Sequence, residues 1–167
     1  MRVTKILFIA SIVCVFSVSC KKNKDNPSPA ASSTTNGNNN PLDSLSYIVI
    51  NLNGMKNTNG KINVAVYNSE QTFNDPNQAY RELFLTTTGG NMIINIDSLP
   101  AGQYAFGIFH DENDNATIDA NFVGIPQEGF AFSNNALGSF GPPTWAQAQF
   151  DLPLKSTVTQ SISLKFY

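Results

Sequence analysis

Alternation of apolar and polar side chains constrains this chain more than any other feature. Over residues 157–166, Val158, Ile162 and Phe166 alternate with hydroxyl-bearing and charged residues, and a similar pattern runs through residues 62–66. Successive side chains of a β-strand point to opposite faces of a sheet, so a period of two predicts strands with one buried face.

Turn dipeptides between apolar runs predict two hairpins. The expected hairpins are 47–52 with 62–66 around Asn59-Gly60, and 83–88 with 91–96 around Gly89-Gly90. The other expected elements are strands 103–109 and 148–152 and a short helix, Pro76 to Glu82, capped by Asp75. About seven short strands predict an all-β fold, an antiparallel β-sandwich of immunoglobulin-like or transthyretin-like type with one long loop.

The N-terminus has the pattern of an export signal. Arg2 and Lys5 precede an apolar run, residues 6–18, which ends in small residues before Cys20. This run has about 13 residues, whereas a membrane-spanning helix needs about 20. We therefore expect a signal peptide over residues 1–19 and a lipid on Cys20 that anchors the protein to a bacterial membrane in the cell envelope, either periplasmic or surface-exposed. The alternative is an ordinary secretory peptide that is cut near Ser19.

The segment after Cys20 is a different kind of sequence. Residues 21–44 are rich in Asn, Ser, Pro and Thr and predict a disordered linker, which leaves residues 45–167 as a single domain. The second cysteine, Cys14, lies in the leader, so the mature protein has no disulfide. From residue 26 onward there are 11 acidic and 5 basic residues, a balance that does not suit nucleic-acid binding.

Oxygen-bearing side chains occur at alternate positions after the central strand. Asp111, Asn113 and Asn115 have the spacing of a calcium-binding loop, and the Thr117 carbonyl and Asp119 follow at the next odd positions. Calcium prefers six to eight oxygen ligands, which such a loop supplies in part. The alternative is that these side chains only shape the loop by bonding its backbone.

Several spaced motifs occur in a fixed order. They are Leu99 to Ala105, His110-Asp111-Glu112-Asn113, Asp119, Gly124 to Gly129, Phe132 to Asn135, and Gly141-Pro142-Pro143. With these motifs the chain resembles the bacterial domain of unknown function 2141 family over about residues 47–167. That family typically has glycine where this chain has Asp114 and Ala116. The resemblance implies an exported β-rich domain whose signature region is residues 110–143, and it implies no established activity.

The loop from residue 110 to 143 is longer than most connections between strands, and such loops are usually functional or packed on themselves. It carries Phe130 and Phe132, and Trp145 follows shortly after it. These aromatic side chains are candidates for contacting a glycan, a protein partner or a small ligand. The alternative is that they pack beneath the loop as a satellite core.

Catalytic hypotheses depend on His110, because it is the single histidine. A single histidine excludes zinc or iron sites built from several histidines. His110 with Ser133 and Asp119 is one candidate set for a hydrolase, and Asp111 with Glu128 is a candidate carboxylate pair. We expect a non-catalytic envelope module, and the alternative is an unusual hydrolase that uses His110 with nearby carboxylates such as Glu128.

Overall fold

The computed structural model of the protein describes residues 45–167. The predicted signal peptide, the predicted lipidation site Cys20 and the predicted linker lie outside the described residues. The described part is mostly β, with eight strands in two sheets. The strands are β1 (Ser46–Asn53), β2 (Lys61–Tyr67), β3 (Arg81–Thr86), β4 (Met92–Leu99), β5 (Gly102–Asp111), β6 (Phe130–Phe132), β7 (Phe150–Leu152) and β8 (Thr157–Ser163).

The two sheets pack face to face as a sandwich. The smaller sheet has the order β4-β1-β8, and the larger has the order β3-β2-β5-β6, with β7 pairing with the start of β5. Their facing sides form the core, which is built mainly from every second residue of the central strands, such as Ile48 and Ile50 of β1 and Ile62 and Val64 of β2. The alternation in the sequence therefore predicted the fold class and the buried side of these strands.

Both predicted hairpins are wrong. Strand β1 pairs with β4 and β8, and β2 pairs with β3 and β5, so each predicted hairpin joins strands of different sheets. The glycines at both turns do have positive φ, as turns require. A turn motif fixes where the chain reverses, but packing of the buried faces decides whether the next strand pairs or crosses to the opposite sheet.

The sandwich is not fully antiparallel, because β1 and β8 pair in parallel from Tyr47 with Thr157 to Asn53 with Ser163. The expected helix after Asp75 is a single 3-10 turn, Pro76–Gln78, with the Asp75 side chain accepting the Asn77 N–H as predicted. The expected strand 148–152 is shorter, because Ala148 ends a four-residue helix, α1 (Trp145–Ala148), that the sequence reading missed. No helix within residues 45–167 is long and apolar enough to span a membrane.

Candidate ligand-binding groove

The outer face of the larger sheet carries an aromatic row that runs across four strands. The strand register places Asn63 of β2 between Phe84 of β3 and Phe109 of β5, and Phe109 is in turn opposite Phe130 of β6. Residues directly opposite each other in neighbouring strands share one face of the sheet. Asn63 is therefore the polar member of a row that otherwise consists of phenylalanines.

The next row on this face has small residues at its centre. Glu82, Ala65, Gly107 and Phe132 lie in register across β3, β2, β5 and β6. A Cβ atom on Gly107 would lie 3.3 Å from Cε1 of Phe132, so the absence of a side chain there lets the ring lie against the strand. Ala65 and Gly107 leave a depression in the sheet surface beside the aromatic row.

Loop segments that rise over this depression convert it into a groove of about 890 Å³. Its floor includes Asn63, Ala65 and Gly107, and its walls include residues from segments 116–126 and 139–142. We call this space the outer groove. Sites for small ligands in proteins are commonly mostly apolar clefts of about 300 to 1,000 Å³ with a few polar groups, and the outer groove has this size and character.

Asn63 is the unusual residue of the groove floor. Its side chain is 5% exposed, and neither Nδ2 nor Oδ1 has a hydrogen-bond partner among residues 45–167. Buried polar groups in proteins are nearly always paired, because leaving one unpaired costs the hydrogen bonds that it made to water. The Asn63 amide is thus a buried donor and acceptor without a protein partner in the described residues, in a residue that lines the groove floor.

Tyr67 also lines the groove and lies two residues after Ala65, on the same face of β2. Burial raises the pKa of its hydroxyl to about 12, and the negative charges of Glu82 and Asp75 add to this effect. The hydroxyl therefore stays protonated and neutral at physiological pH. The same surroundings disfavour negative charge in this part of the groove.

The predicted calcium loop is closed by hydrogen bonds to its own backbone. The buried carboxylate of Asp111 accepts the backbone N–H of Asn115 at 3.0 Å and that of Ala116 at 2.8 Å. The side-chain oxygen of Asn115 accepts the backbone N–H of Thr117 at 2.8 Å and its hydroxyl at 2.9 Å. These hydrogen bonds to backbone groups are the ones expected when such side chains shape a loop, which is the alternative that the sequence left open.

Asp119 joins the two asparagines of this loop. Its carboxylate accepts Nδ2 of Asn113 at 2.7 Å and Nδ2 of Asn115 at 3.2 Å. The structure therefore brings Asp111, Asn113, Asn115 and Asp119 into one network. Within residues 45–167, no three His, Cys, Asp or Glu side chains are grouped so that they could hold a metal ion. Calcium binding by this loop stays a prediction.

Glu128 holds the two ends of the same loop together. Its side chain is 5% exposed, and its carboxylate accepts the backbone N–H of Glu112 and that of Asp119, both at 2.9 Å. Two charge-assisted hydrogen bonds to backbone N–H groups fix a loop more firmly than neutral ones. Glu128 thus positions the segment that walls the outer groove.

The candidate catalytic residues face structural partners. The His110 side chain is 0% exposed, its Nε2 donates to the Asn59 carbonyl at 2.8 Å, and its Nδ1 lies 4.0 Å from Oε1 of Glu112. The buried Ser133 hydroxyl donates to the Ala148 carbonyl at 2.6 Å and accepts the Phe106 N–H at 3.1 Å. The hydrogen bonds of His110 and Ser133 therefore run to backbone groups of different segments.

The candidate aromatic residues divide into two groups. Phe130 and Phe132 line the outer groove, with ring centroids 6.3 Å apart. Trp145 is buried and packs edge-to-face on Phe73, which also contacts Phe132. Trp145 therefore belongs to a satellite core, while Phe130 and Phe132 line the outer groove, and their contact with a ligand stays a prediction.

Comparison with known families gives one match. The model of a bacterial family described as "Uncharacterized protein conserved in bacteria (DUF2141)" matches residues 50–160. The chain belongs to this family. No curated protein and no solved structure shows significant similarity to it.

The DUF2141 resemblance seen in the sequence is thus confirmed, and the match covers the whole outer face of the larger sheet. Asp114 and Ala116, which stand where we expect family glycines, have φ of 58° and 62°. These are left-handed values that favour glycine. The loop therefore keeps a glycine-like backbone without glycine at these two positions.

Sequence reasoning missed the groove floor of this DUF2141 domain. Asn63 and Ala65 look like ordinary outward positions of an alternating strand, and Gly107 looks like a glycine inside a strand. A small residue in the middle of a strand is a signal for close approach or a depression. This signal identifies a groove floor only when the strand register is known, because the register places Ala65 opposite Gly107.

Proposed function

We propose that this DUF2141 protein is a non-catalytic module of the bacterial cell envelope that binds a small ligand in the outer groove. A lipid on Cys20 anchors it to the membrane, and the segment between Cys20 and the domain holds the groove away from the surface. The observation that carries the binding proposal is the groove itself, whose floor is kept open by the small residues Ala65 and Gly107.

Three features support a small ligand over a protein or glycan partner. The site is concave and has the volume of a small-molecule pocket. Its walls come from the 110–143 region, the signature region that the family resemblance implies. Its floor is made by Ala65 and Gly107, which keep space open where larger side chains would close it.

The surroundings of His110 support binding over catalysis. A general base must reach the proton that it abstracts from a substrate. The His110 ring is buried in the sandwich and donates to the Asn59 carbonyl, while Glu128 accepts two backbone N–H groups. Both side chains are thus buried and hydrogen-bonded to backbone groups.

The neutral dye Nile red, whose fluorescence rises in apolar surroundings, tests the proposal. We expect saturable binding to the full chain and at least a tenfold weaker affinity, as an order of magnitude, in Ala65→Phe, because the new ring fills the groove floor. Ile93→Phe adds a ring to an exposed position of the smaller sheet and is the matched control. Equal binding to the wild type and to Ala65→Phe would contradict the proposal.

A further inference from the structure

The outer groove carries a negative charge without a counter-charge. Among the described residues that line the groove, Glu82 is the single charged residue, and no lysine, arginine or histidine accompanies it. Glu82 is exposed and makes no ion pair with any of residues 45–167. A bound anion would therefore meet like charge, whereas a bound cation would meet a carboxylate that has no ionic partner in the described domain.

A second residue of the groove is exposed to the same negative potential. Burial is the main reason that the pKa of the Tyr67 hydroxyl is raised to about 12, and the negative charges of Glu82 and Asp75 contribute to the rise. A potential that opposes a phenolate also opposes other anions. The same potential favours a cation in this part of the groove.

Glu82 stands at one end of the row that forms the groove floor. The row runs in register across four strands, from Glu82 through Ala65 and Gly107 to Phe132. Neighbouring strands lie about 4.8 Å apart, so the row is about 14 Å long. A ligand that lies along this row can place a charged end at the edge strand β3 and an apolar body over the two small residues.

Aromatic rings border the row along its length. Phe84 lies two positions after Glu82 on the same face of β3, and Phe109, Phe130 and Phe132 lie toward the other end of the groove. Ring faces attract ammonium groups as well as apolar groups. The ring beside the carboxylate therefore suits a cation, and the rings farther along suit an alkyl or aromatic body.

The exposure of Glu82 determines how strong the preference for a cation is. An ammonium group beside an exposed carboxylate keeps its contact with water, so binding does not require the burial of two charges. Exposed ion pairs contribute modestly, up to about fivefold in affinity. The apolar body of the ligand therefore supplies most of the affinity, and Glu82 supplies the selectivity for charge.

We propose that the ligand of the outer groove is an amphiphilic cation, an amine or quaternary ammonium with an apolar body. Its positive group pairs with the Glu82 carboxylate, and its body lies over Ala65 and Gly107. This inference rests on the proposed function, since it names the ligand class of the same groove.

Three probes that share an octyl tail isolate the effect of charge: octylamine, octanol and nonanoate. Their affinities for the full chain are measured by calorimetric titration at neutral pH, where octylamine is protonated. We expect octylamine to bind about three- to fivefold more tightly than octanol, and nonanoate to bind more weakly than octanol. High salt should narrow the difference between octylamine and octanol, because it screens an exposed ion pair.

A pair of variants tests the role of Glu82. Glu82→Gln keeps the size of the side chain and removes its charge, so the preference for octylamine over octanol should disappear. Glu70→Gln is the matched control, because Glu70 is also exposed but does not line the groove, and this variant should keep the preference. The control separates pairing with Glu82 from a general attraction between an acidic protein and a cation.

The outcomes separate the two proposals. Equal affinity of octylamine and octanol for the wild-type chain overturns the cation inference and leaves the groove proposal intact, and so does tighter binding of nonanoate than of octylamine. Neither comparison needs a variant. A preference for octylamine that persists in Glu82→Gln, or that is lost equally in Glu70→Gln, overturns the pairing with Glu82. Absence of Nile red binding overturns the proposed function, and the cation inference fails with it.

Discussion

Asn63 shows how a single side chain can work against folding. A leucine at this position would make the row wholly apolar, whereas the amide gives up hydrogen bonds to water and has no protein partner in the described domain. Residues at binding sites often carry such a cost, because the arrangement that suits the ligand is not the most stable one for the free protein.

Replacing Asn63 by leucine is expected to raise the free energy of unfolding of the ligand-free protein by about 1 to 2 kcal/mol, because it removes a buried unpaired amide. Chemical denaturation measures this change. Asn95→Leu on β4, where the side chain is exposed, is the matched control and should change stability by less than about 0.5 kcal/mol. A loss of stability in Asn63→Leu would mean that the amide is already satisfied in the free protein.

Ala116 carries backbone strain in the loop above the groove, because its φ of 62° is unfavourable for a residue with a Cβ atom. Ala116→Gly is expected to raise the free energy of unfolding by about 1 kcal/mol. Ala120→Gly, in the same loop but without positive φ, should lower it or leave it unchanged. The same denaturation experiment compares the two variants, and an opposite order would contradict this interpretation of the loop.

At the scale of elements, strands were predictable and their partners were not. Alternation in β2 and β8 marked the buried residues, since side-chain direction in a strand is a local property. Pairing depends on contacts between distant segments, and the parallel partnership of β1 with β8 joins residues more than a hundred positions apart. For the same reason the sequence indicated the loop after Asp111 but not the groove floor beneath it, because that floor combines residues of different strands.

Glu128 connects that loop to the sheet, so its removal is expected to loosen the groove wall without unfolding the sandwich. Glu128→Ala leaves the N–H groups of Glu112 and Asp119 without their acceptor, a loss of about 2 kcal/mol or more of local stability. Limited proteolysis should then cut between residues 112 and 126. Glu70→Ala, an exposed carboxylate, should leave the pattern unchanged, and an uncut Glu128→Ala loop would contradict the proposed role.

The calcium prediction for Asp111, Asn113, Asn115, Thr117 and Asp119 belongs to the same element. If the loop binds calcium in the 0.1 to 1 mM range typical of extracellular modules, a tenfold excess adds about 1.4 kcal/mol of stability. The thermal midpoint should then rise by a few degrees in calcium and fall back with chelator. A midpoint that is the same in both conditions would count against calcium binding.

For the whole molecule, the proposal joins an anchored N-terminus to a ligand-binding domain. Lipid on Cys20 would keep the groove at a membrane while the acidic domain stays in solution. The family match supports a bacterial origin of the protein, and the leader sequence predicts its export.

Anchoring is tested by growing cells with an alkyne-bearing fatty acid and detecting its attachment to the protein. The wild-type chain should carry the label, and Cys20→Ala should lose it, because the thiol is the attachment site. Cys14→Ala, in the predicted leader, should keep the label. Label that persists in Cys20→Ala would contradict lipidation at this residue.

The central claim is that the outer face of the larger sheet is a ligand-binding surface. Amide NMR spectra of the full chain titrated with octanamide, a small, neutral and mostly apolar probe, test it most directly. We expect the largest shifts at the backbone amides of Ala65 and Gly107, with Val49 and Ile93 of the smaller sheet unmoved. Unchanged signals from Ala65 and Gly107 up to the solubility limit of octanamide, or shifts centred on the smaller sheet, would contradict the claim.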